Sequence, residues 1–416
     1  MDIRVYPVPL TGELRAPSSK SLSHRYLIGA ALAPGISRIT NILDAEDLDA
    51  TRLALLSLGI RIDGDTVAGG TWEATTAPIH CGASGSTVRF LMPVAMHLDA
   101  ATTFTGTGRL PKRPLDVYES LFVPRGQYVR HGIDPLPATV LGPLEPGPFK
   151  VSGSVSSQFI SGLLFILPTL DGPSSILIDG PLESVPYVDL TLAVMAEFGI
   201  KVHRTQNGFD IPGYQTYRPL ETAVEGDYSQ AAFWLVGGAI GAGITLSGLR
   251  RDSVQGDRAV VAMLETMGAD ITVSDQHLTI QNTPLHAVFT DLRDTPDLGP
   301  VLMLLSGTAT GTSTFTGLKR LRIKESDRLG VLQELLTRTG VPNRLDGDTL
   351  NIVGQTTLQG NQRFHTYDDH RIAMALCAMA NRFDQPFIIE DIDVIRKSYP
   401  RFLDDYAMLG GRFDTL

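Results

Sequence analysis

The chain has 416 residues, of which 43% are hydrophobic and 19% are charged, and its formal net charge at pH 7 is −10. This length exceeds what one compact core usually holds, so we expect two domains of about 200 residues each. The acidic balance disfavours binding to nucleic acid or to an anionic membrane, although a local basic site can still collect a small anionic substrate.

Cysteine content and hydropathy bear on location. The chain has only two cysteines, which argues against a disulfide framework and a cysteine-rich metal site, and the default is a reducing cytoplasm. Residues 2–5 alternate charged and apolar side chains as a strand does, and they lack the apolar core of a signal peptide. The most apolar segment, residues 231–246, contains four glycines and is too short to span a bilayer. We therefore expect a soluble, cytoplasmic protein.

A similar unit recurs six times at a spacing of about 70 residues, which exceeds the periods typical of solenoid repeats. Each unit contains a helix of small and apolar residues and then a short β-branched strand. The six strands are residues 38–42, 103–107, 175–179, 244–248, 313–317 and 387–391. Second helices that close with a glycine suited to a left-handed C-cap are residues 53–60, 192–200, 260–269 and 331–341. Six such units predict an α/β (α+β) fold with two lobes of three, and the irregular residues 212–219 place the boundary near residue 224.

Residues 16–25 read as a loop that runs into a helix with Lys20 and Arg25 at its start. A helix N-terminus carries about half a unit of positive charge, so cations there are locally unfavourable unless an anion binds. Taken alone, the stretch also fits a solvated helix start with capping serines. Arg89 and Arg371 repeat the pattern after other loops. The recurrence favours sites for phosphate or carboxylate groups.

Three other stretches concentrate polar or charged side chains. Residues 109–114 hold three cations among prolines, residues 153–159 hold serines beside Gln158, and residues 320–328 form a dense run of charge. Solvated loops and simple N-caps explain each of them singly. Asp368-Asp-His370 has the side chains of a metal cluster, but no second histidine or cysteine stands nearby at ligand spacing.

Two helices can be described further from residue spacing. Leu22, Tyr26 and Ala30 predict one apolar face for the helix that starts near Lys20. Glu325 and Arg328 are predicted to share one face of a later helix, because residues three apart are neighbours on a helix surface.

Four ordered motifs resemble the 5-enolpyruvylshikimate-3-phosphate (EPSP) synthase family, and the similarity runs along nearly the whole chain. The motifs are Pro17-Ser-Ser-Lys-Ser-Leu-Ser-His-Arg25, Ser154-Val-Ser-Ser-Gln-Phe159, Ile323-Lys-Glu-Ser-Asp-Arg-Leu329 and Asp368-Asp-His-Arg-Ile-Ala-Met374. The resemblance implies transfer of the enolpyruvyl group of phosphoenolpyruvate to shikimate 3-phosphate, a step towards chorismate and the aromatic amino acids. This family is the target of the inhibitor glyphosate.

The resemblance also implies an architecture, a two-domain inside-out α/β barrel built from six βαβαββ-type repeats, three per domain. The N-terminal lobe would be residues 19–224, on the shikimate 3-phosphate side. The C-terminal lobe would be residues 1–18 and 225–416, on the phosphoenolpyruvate side and with the catalytic acids. The two lobes would face each other with helix N-termini towards a cleft.

Site residues carry over by motif from the resemblance. It implies that the catalytic residues are Asp297 as base, Glu325 as acid and Lys20 as the group that polarises the reacting centre. The residues implied for shikimate 3-phosphate are Lys20, Ser21, Arg25, Ser156, Ser157, Gln158, Ser184, Asp297 and Lys324. The residues implied for phosphoenolpyruvate are Lys20, Gly85, Arg113, Gln158, Arg328, Arg371 and Lys397. Together the substrates bring two phosphates and two carboxylates, so about five cations are needed to offset their repulsion.

Some positions depart from the family pattern. Ala83 and Ser86 stand where asparagine and threonine are common, and Phe90 replaces a common proline, so the sequence does not predict glyphosate sensitivity. Arg320 stands where some members have an asparagine that contacts the sugar, and no role carries over to it. The reaction requires neither a metal nor an organic cofactor. Beyond the two small substrates no nucleic acid or membrane partner is expected, and we expect a monomer.

Two alternatives remain at this stage. Within the same chemistry, the acceptor could be UDP-N-acetylglucosamine, although such enzymes share the repeats without the last two motifs. From another class, six repeats could build a binding scaffold such as a sliding clamp. A clamp needs basic residues along the helices that line a hole, whereas here the cations gather at helix starts among serines.

Overall fold

The computed structural model describes residues 1–274 and 277–416 of the chain. These residues divide into two compact units. The contiguous unit is Lys20–Val224, and the split unit combines Met1–Ser19 with Glu225–Leu416. Strands β1 (Ile3–Tyr6) and β2 (Gly12–Arg15) precede the contiguous unit in the chain but belong to the split unit.

The contiguous unit contains six helices and twelve strands among its residues. The helices are α1 (Lys20–Leu32), α2 (Glu46–Ser57), α3 (Gly85–Ala95), α4 (Asp116–Phe122), α5 (Ser157–Ile166) and α6 (Val185–Glu197). The strands are β3 (Gly35–Thr40), β4 (Arg61–Asp63), β5 (Thr66–Gly69), β6 (Ile79–His80), β7 (Ala101–Thr105), β8 (Tyr128–Arg130), β9 (Ala138–Leu141), β10 (Pro148–Ser152), β11 (Ser174–Asp179), β12 (His203–Thr205), β13 (Gly208–Ile211) and β14 (Glu221–Ala223).

The split unit repeats this composition over its described residues. Its later helices are α7 (Tyr228–Ile240), α8 (Ala259–Thr266), α9 (Gly299–Ser306), α10 (Arg328–Arg338), α11 (His370–Ala378) and α12 (Phe402–Met408). Its later strands are β15 (Ile244–Ser247), β16 (Asp270–Val273), β17 (His277–Gln281), β18 (Phe289–Asp291), β19 (Thr312–Thr316), β20 (Asn343–Asp346), β21 (Thr349–Val353), β22 (Arg363–His365), β23 (Phe387–Glu390) and β24 (Arg412–Thr415).

The described strands form six four-stranded sheets with one shared plan. In each sheet the second strand runs parallel to an edge strand on one side and antiparallel to the third strand on the other. The second strands are β3, β7, β11, β15, β19 and β23, and each overlaps one of the six segments predicted from the repeat, with bounds that differ by up to three residues. The mixed α/β character predicted from the sequence is confirmed.

Residues 1–19 complete two sheets of the split unit. Strand β2 pairs in parallel with β15, with Leu14 opposite Leu246. Strand β1 lies between β23 and β24 and is antiparallel to both. In the sixth sheet β1 therefore takes the place that a strand following β23 occupies in the other repeats.

Glycines end the second helices as predicted. After α2, α6, α8 and α10 the backbone turns at Gly59, Gly199, Gly268 and Gly340, whose φ angles are +89°, +83°, +95° and +81°. Side chains with a Cβ rarely adopt this left-handed conformation, which explains why glycine recurs there.

Helix α1 differs from the prediction of one apolar face, because it is buried on nearly all sides from Leu22 to Leu32. Its polar side chains have partners on neighbouring elements. Ser23 Oγ accepts a hydrogen bond from Leu43 N at 3.2 Å, and His24 Nδ1 lies 2.8 Å from Thr51 Oγ1. A polar face can be buried when its hydrogen bonds are satisfied in this way.

Each unit has its own hydrophobic core around such buried helices. In the split unit α7, α9 and α11 are buried over their whole length and pack against one another. Their starts bring residues near positions 228, 299 and 370 to one region of that unit. Within residues 1–274 and 277–416 we find no helix with the length and apolar character of a membrane span.

Candidate active site

The residues predicted for the site occur in both units, and the contiguous unit is described first. Lys20 is the first residue of α1, and its Nζ donates to Asp47 Oδ2 at 2.9 Å. Both side chains are about 15% exposed. Asp47 lies in the first turn of α2, where a carboxylate also interacts favourably with the helix dipole. The sequence could not single out Asp47, because acids at helix starts are common for that reason alone.

Arg25 is buried and ordered by three neutral oxygens. Its Nε donates to Thr191 Oγ1 at 2.8 Å, Nη1 to the Ser21 carbonyl at 2.7 Å and Nη2 to the Tyr187 carbonyl at 2.9 Å. Burial lowers the pKa of Arg25 to about 10. Ser184, the residue before α6, has a φ of +55° and begins the helix that supplies Tyr187 and Thr191. The fold thus brings Ser21, Arg25 and the start of α6 together.

A second group gathers at the starts of α3 and α5. A Cβ added to Gly85 would lie 2.7 Å from Arg113 Nη1, so the guanidinium passes directly over this glycine. Gln158 Oε1 accepts a hydrogen bond from Arg89 Nη1 at 2.8 Å, and Gln158 Nε2 donates to Ser86 Oγ at 2.9 Å. Arg89 had no role in the prediction, although its place at a helix start was the available signal.

The two serines of this group have different positions. Ser156 is the N-cap of α5 and accepts a hydrogen bond from Gln158 N at 3.3 Å. Ser157 is the first residue of the helix and is 3% exposed. Ser156 therefore caps α5, as expected if the serines of residues 153–159 are simple N-caps.

The split unit holds a dense ion-pair cluster around Asp297, in the 3-10 turn Pro296–Leu298 before α9. Asp297 Oδ1 accepts hydrogen bonds from Lys324 Nζ at 3.2 Å and from Arg328 Nη1 at 2.8 Å. Asp297 Oδ2 accepts one from Arg371 Nη2 at 3.2 Å. Three cations from two separate parts of the sequence thus meet at one carboxylate.

Arg328 links this carboxylate to two more. Its Nε donates to Asp369 Oδ2 at 2.7 Å and its Nη2 donates to Glu325 Oε2 at 2.6 Å. Burial lowers the pKa of Arg328, but Asp369, Glu325 and Asp297 outweigh burial and raise that pKa well above its usual value. Asp369 also caps α11, accepting from Arg371 N at 3.0 Å. Asp369 had no predicted role.

One detail of the Glu325 prediction is wrong. Glu325 and Arg328 are in contact as expected, but they do not share a helix face, because α10 begins at Arg328. Asp327 is the N-cap and accepts a hydrogen bond from Gly330 N at 3.1 Å. The cap fixes the helix start, and Glu325 is left in the preceding loop.

Two buried groups of the cluster have shifted pKa values. Burial lowers the pKa of Lys324 to about 8, although Asp297 opposes the shift. Burial and then the charge of Asp297 raise the pKa of Asp257 to about 6, while Arg371 opposes this shift. Asp257 lies in the 3-10 turn Gly256–Arg258 and is 3% exposed. The sequence contained no signal that distinguished it.

The remaining predicted cation lies beside the Asp-Asp-His stretch. Lys397 Nζ donates to Asp368 Oδ1 at 2.6 Å and to the Asp368 carbonyl at 2.9 Å. Asp369, the next residue, is paired with Arg328. Cations therefore engage the carboxylates of both Asp368 and Asp369.

The fold and these two residue sets define a class of enzyme that binds small polyanionic substrates through arginine and lysine at helix starts, with carboxylates held among the cations. Comparison with known proteins identifies the family. The family model for EPSP synthase (3-phosphoshikimate 1-carboxyvinyltransferase) matches residues 6–406.

Curated relatives agree over the whole length. The 3-phosphoshikimate 1-carboxyvinyltransferase of Clostridium kluyveri is 42% identical over 418 residues, covering 99% of this chain and 98% of the relative. That of Clostridioides difficile is 39% identical over 428 residues, with the same coverage. The chain belongs to the EPSP synthase family, and the resemblance seen in the four motifs is confirmed.

Solved structures with similar folds share little sequence with the chain. EPSP synthase from Acinetobacter baumannii superposes with a TM-score of 0.83 at 24% identity, covering 100% of both chains. The enolpyruvyl transferase NikO from Streptomyces tendae gives a TM-score of 0.79 at 17% identity, covering 99% of this chain and 98% of the other. At these identities the match concerns the fold.

Proposed function

We propose that the residues described above carry out the reaction of this family, the transfer of the enolpyruvyl group of phosphoenolpyruvate to the 5-hydroxyl of shikimate 3-phosphate with release of phosphate. The chain is an enzyme of the shikimate pathway, a 3-phosphoshikimate 1-carboxyvinyltransferase. The observation that supports the residue assignment is Asp297, a carboxylate held by three cations next to Glu325 on the same arginine.

In the addition step, Asp297 accepts the proton of the 5-hydroxyl as its oxygen bonds to C2 of phosphoenolpyruvate. Glu325 delivers a proton to the methylene carbon, which becomes a methyl group. The product is a tetrahedral intermediate that still carries the phosphate. Hydrogen bonds from Lys324, Arg328 and Arg371 hold Asp297 in a fixed orientation, which favours one geometry for proton transfer.

In the elimination step, the bond from C2 to the phosphate oxygen breaks and the methyl group returns a proton to Glu325. The double bond is thereby restored, and phosphate leaves with one proton, which balances the proton that Asp297 took from the 5-hydroxyl and must release to complete the cycle. Lys20 polarises the reacting centre, and cations near the leaving group stabilise the charge that develops on it. Glu325 Oε2 accepts a hydrogen bond from Arg328 Nη2 at 2.6 Å. A neighbouring cation favours the ionised form of a carboxyl, and Glu325 must be ionised to accept the proton in the elimination step.

The substrate assignments follow the resemblance. Shikimate 3-phosphate is held by Lys20, Ser21, Arg25, Ser156, Ser157, Gln158, Ser184, Asp297 and Lys324. Phosphoenolpyruvate is held by Lys20, Gly85, Arg113, Gln158, Arg328, Arg371 and Lys397. Hydrogen bonds within each unit support both sets. Arg25 donates to Ser21, and both are assigned to shikimate 3-phosphate. Arg328 and Arg371, both assigned to phosphoenolpyruvate, donate to the same carboxylate of Asp297.

We also propose the finer architecture, an inside-out α/β barrel of six βαβαββ-type repeats with three in each of two domains. Six sheets of one plan and helices buried along their length support it. The contiguous unit would be the shikimate 3-phosphate side and the split unit the phosphoenolpyruvate side with the catalytic acids. A monomeric state, a cytoplasmic location and the lack of a nucleic-acid partner stay predictions from the sequence.

A phosphate-release assay tests the reaction and its acceptor. The purified chain with phosphoenolpyruvate should release phosphate when shikimate 3-phosphate is added. It should release none with UDP-N-acetylglucosamine at the same concentration. Release with the sugar nucleotide alone would reverse the assignment of the acceptor.

A further inference from the structure

Two arginines of the contiguous unit are buried against the faces of aromatic rings. Arg25 Cζ lies 5.1 Å from the centroid of the Phe90 ring, and Arg89 Cζ lies 5.1 Å from that of Phe159. In both cases the arginine and the ring lie on different buried helices. Arg25 is on α1 and Phe90 on α3, and Arg89 is on α3 and Phe159 on α5. Phe90 is the residue that replaces a common proline of the family, and the reaction so far gives it no role.

Arg25 needs such a contact because its charge has no ionic partner in its hydrogen bonds. The three acceptors are the hydroxyl of Thr191 and the carbonyls of Ser21 and Tyr187. The residue is 2% exposed, and burial opposes its charged form. An aromatic face attracts a guanidinium most strongly where water is excluded, so the Phe90 ring offsets part of this cost.

The Phe90 ring is itself held in orientation by edge contacts. Phe165 meets it at a centroid distance of 5.7 Å and an interplanar angle of 67°, and His24 meets it at 6.5 Å and 84°. Phe90 is completely buried. A ring fixed in this way can fix the plane of the guanidinium that stacks on it.

We propose that Phe90 is a positioning residue for shikimate 3-phosphate, because its ring, together with the three hydrogen bonds of Arg25, holds the plane in which Arg25 presents its remaining N–H groups to the anion. The inference depends on the proposed assignment of Arg25 to this substrate. Loss of the Phe90 ring should therefore weaken the binding of shikimate 3-phosphate. It should affect the binding of phosphoenolpyruvate only if it disturbs the structure of the whole contiguous unit.

The test measures the dissociation constant of shikimate 3-phosphate by calorimetry, and the KM for phosphoenolpyruvate and kcat by phosphate release. Phe90→Leu should raise the dissociation constant by about 5- to 30-fold. The KM for phosphoenolpyruvate should stay within about twofold, since no assigned ligand of that substrate stacks on the ring. Equal weakening of both substrates, or unchanged affinity for shikimate 3-phosphate, would overturn the proposal.

A matched control separates positioning from packing. Phe149 is also completely buried and lies under an arginine, Arg125, at 4.2 Å, but Arg125 has no assigned substrate. Phe149→Leu should therefore lower the melting temperature about as much as Phe90→Leu and leave the affinity for shikimate 3-phosphate unchanged. If Phe90→Leu fails to fold, Phe90→Met, which fills a similar volume without a ring, is measured instead.

Variants of Arg25 distinguish the inference from the assignment beneath it. Phe90→Leu should have little further effect when combined with Arg25→Lys, because an ammonium group has no plane to orient. If Arg25→Ala binds shikimate 3-phosphate as the unmodified chain does, both the assignment and the inference are overturned. If Arg25→Ala weakens binding and Phe90→Leu does not, the assignment stands and only the inference is overturned.

Discussion

The carboxylate of Asp297 accepts hydrogen bonds from Lys324, Arg328 and Arg371. An asparagine would keep its shape and one acceptor oxygen but could not take a proton. Asp297→Asn should therefore lower kcat by about 100-fold or more and leave the affinity for shikimate 3-phosphate largely intact. Steady-state kinetics with calorimetry would measure both quantities.

A control from the same unit is Asp291→Asn, because Asp291 is 45% exposed and pairs with the exposed Arg293. That variant should keep normal kinetics. Activity of Asp297→Asn within threefold of the unmodified chain would remove Asp297 from the proton transfer.

From the proposed contact of Lys324 with shikimate 3-phosphate, we expect an alkaline limit to the reaction. The pKa of Lys324 is lowered to about 8 by burial, with Arg320 and Arg328 acting in the same direction and Asp297 and Glu325 against it. As the pH rises through 8 the ammonium loses its proton and its attraction for phosphate. The KM for shikimate 3-phosphate should rise about 5- to 10-fold between pH 7 and pH 9.

The variant Lys324→Arg checks the origin of this rise, because a guanidinium stays charged over the whole range. Its KM should change little with pH in the same interval. A curve that still rises as steeply in the variant would assign the alkaline limit to another group.

Gly85 shows how little space the site leaves. A Cβ at this position would lie 2.7 Å from Arg113 Nη1 and 3.1 Å from Arg89 Nη1, so both guanidinium groups would have to move. Gly85→Ala should therefore lower kcat/KM for phosphoenolpyruvate by about 10- to 100-fold. Gly132→Ala is the matched control, since a Cβ there meets nothing within 4 Å. Similar kinetics for the two variants would show that Arg113 tolerates displacement.

At the scale of elements, the start of α11 depends on one buried carboxylate. Asp369 is fully buried, pairs with Arg328 and caps the helix at Arg371 N. Removing the Asp369 side chain takes the acceptor from Nε of the buried Arg328 and removes the cap of α11, although Asp297 and Glu325 still pair with Arg328. Asp369→Ala should lower the free energy of unfolding of the split unit by about 3 to 5 kcal/mol.

Urea denaturation followed by circular dichroism would measure this loss. The adjacent Asp368 pairs with Lys397 while 53% exposed, so Asp368→Ala should change the unfolding free energy by about 1 kcal/mol or less. Equal effects of the two substitutions would contradict a special role for the buried pair.

The positions of many strands and helix ends could be predicted, because the side chains of the segment itself determine them. The β-branched segments became the second strand of each sheet, and the glycines after α2, α6, α8 and α10 have the left-handed conformation expected. Strands β8 and β9, by contrast, lie among the prolines and glycines of residues 122–148, where no periodicity marks them. The buried polar face of α1 was missed because its partners Leu43, Thr51 and Thr191 are distant in sequence.

The candidate site was likewise predicted only in part, because many of its contacts join residues that are distant in sequence. Motifs supplied Lys20, Glu325 and Arg328, since each lies in one of the four quoted stretches, whereas Asp297 lies outside them and came from the resemblance of the whole chain. They did not supply the partners that fix those side chains, because a charge pair depends on tertiary contact rather than on spacing. Asp47 beside Lys20 and Asp257 near Arg371 are the examples, and neither stands out from ordinary surface acids in the sequence.

At the scale of the whole molecule, each substrate's proposed ligands come from both units. Shikimate 3-phosphate takes Arg25 from the contiguous unit and Lys324 from the split unit, and phosphoenolpyruvate takes Arg113 and Arg371 likewise. On these proposed assignments, neither unit alone supplies all the ligands of either substrate. We expect shikimate 3-phosphate to strengthen the binding of phosphoenolpyruvate by about 1 to 3 kcal/mol, or about 5- to 150-fold.

Calorimetric titration of phosphoenolpyruvate, with and without saturating shikimate 3-phosphate in the inactive Asp297→Asn variant, would measure this coupling. Linkage requires the reverse titration to give the same factor. Equal affinity in the two titrations of phosphoenolpyruvate would mean that the substrates bind independently.

The position of β1 has a consequence for how the chain is made. Ile3 pairs with Ile389 and with Thr415, so β1 is synthesised before the whole contiguous unit and must wait for partners that are synthesised after it. The contiguous unit needs no such delay, because all its strands lie between residues 20 and 224. Domains generally fold as units during synthesis. A nascent chain can therefore complete the unit with Arg25 first, and the sheet of β1 in the unit with Asp297 forms only after β23 and β24 have been synthesised.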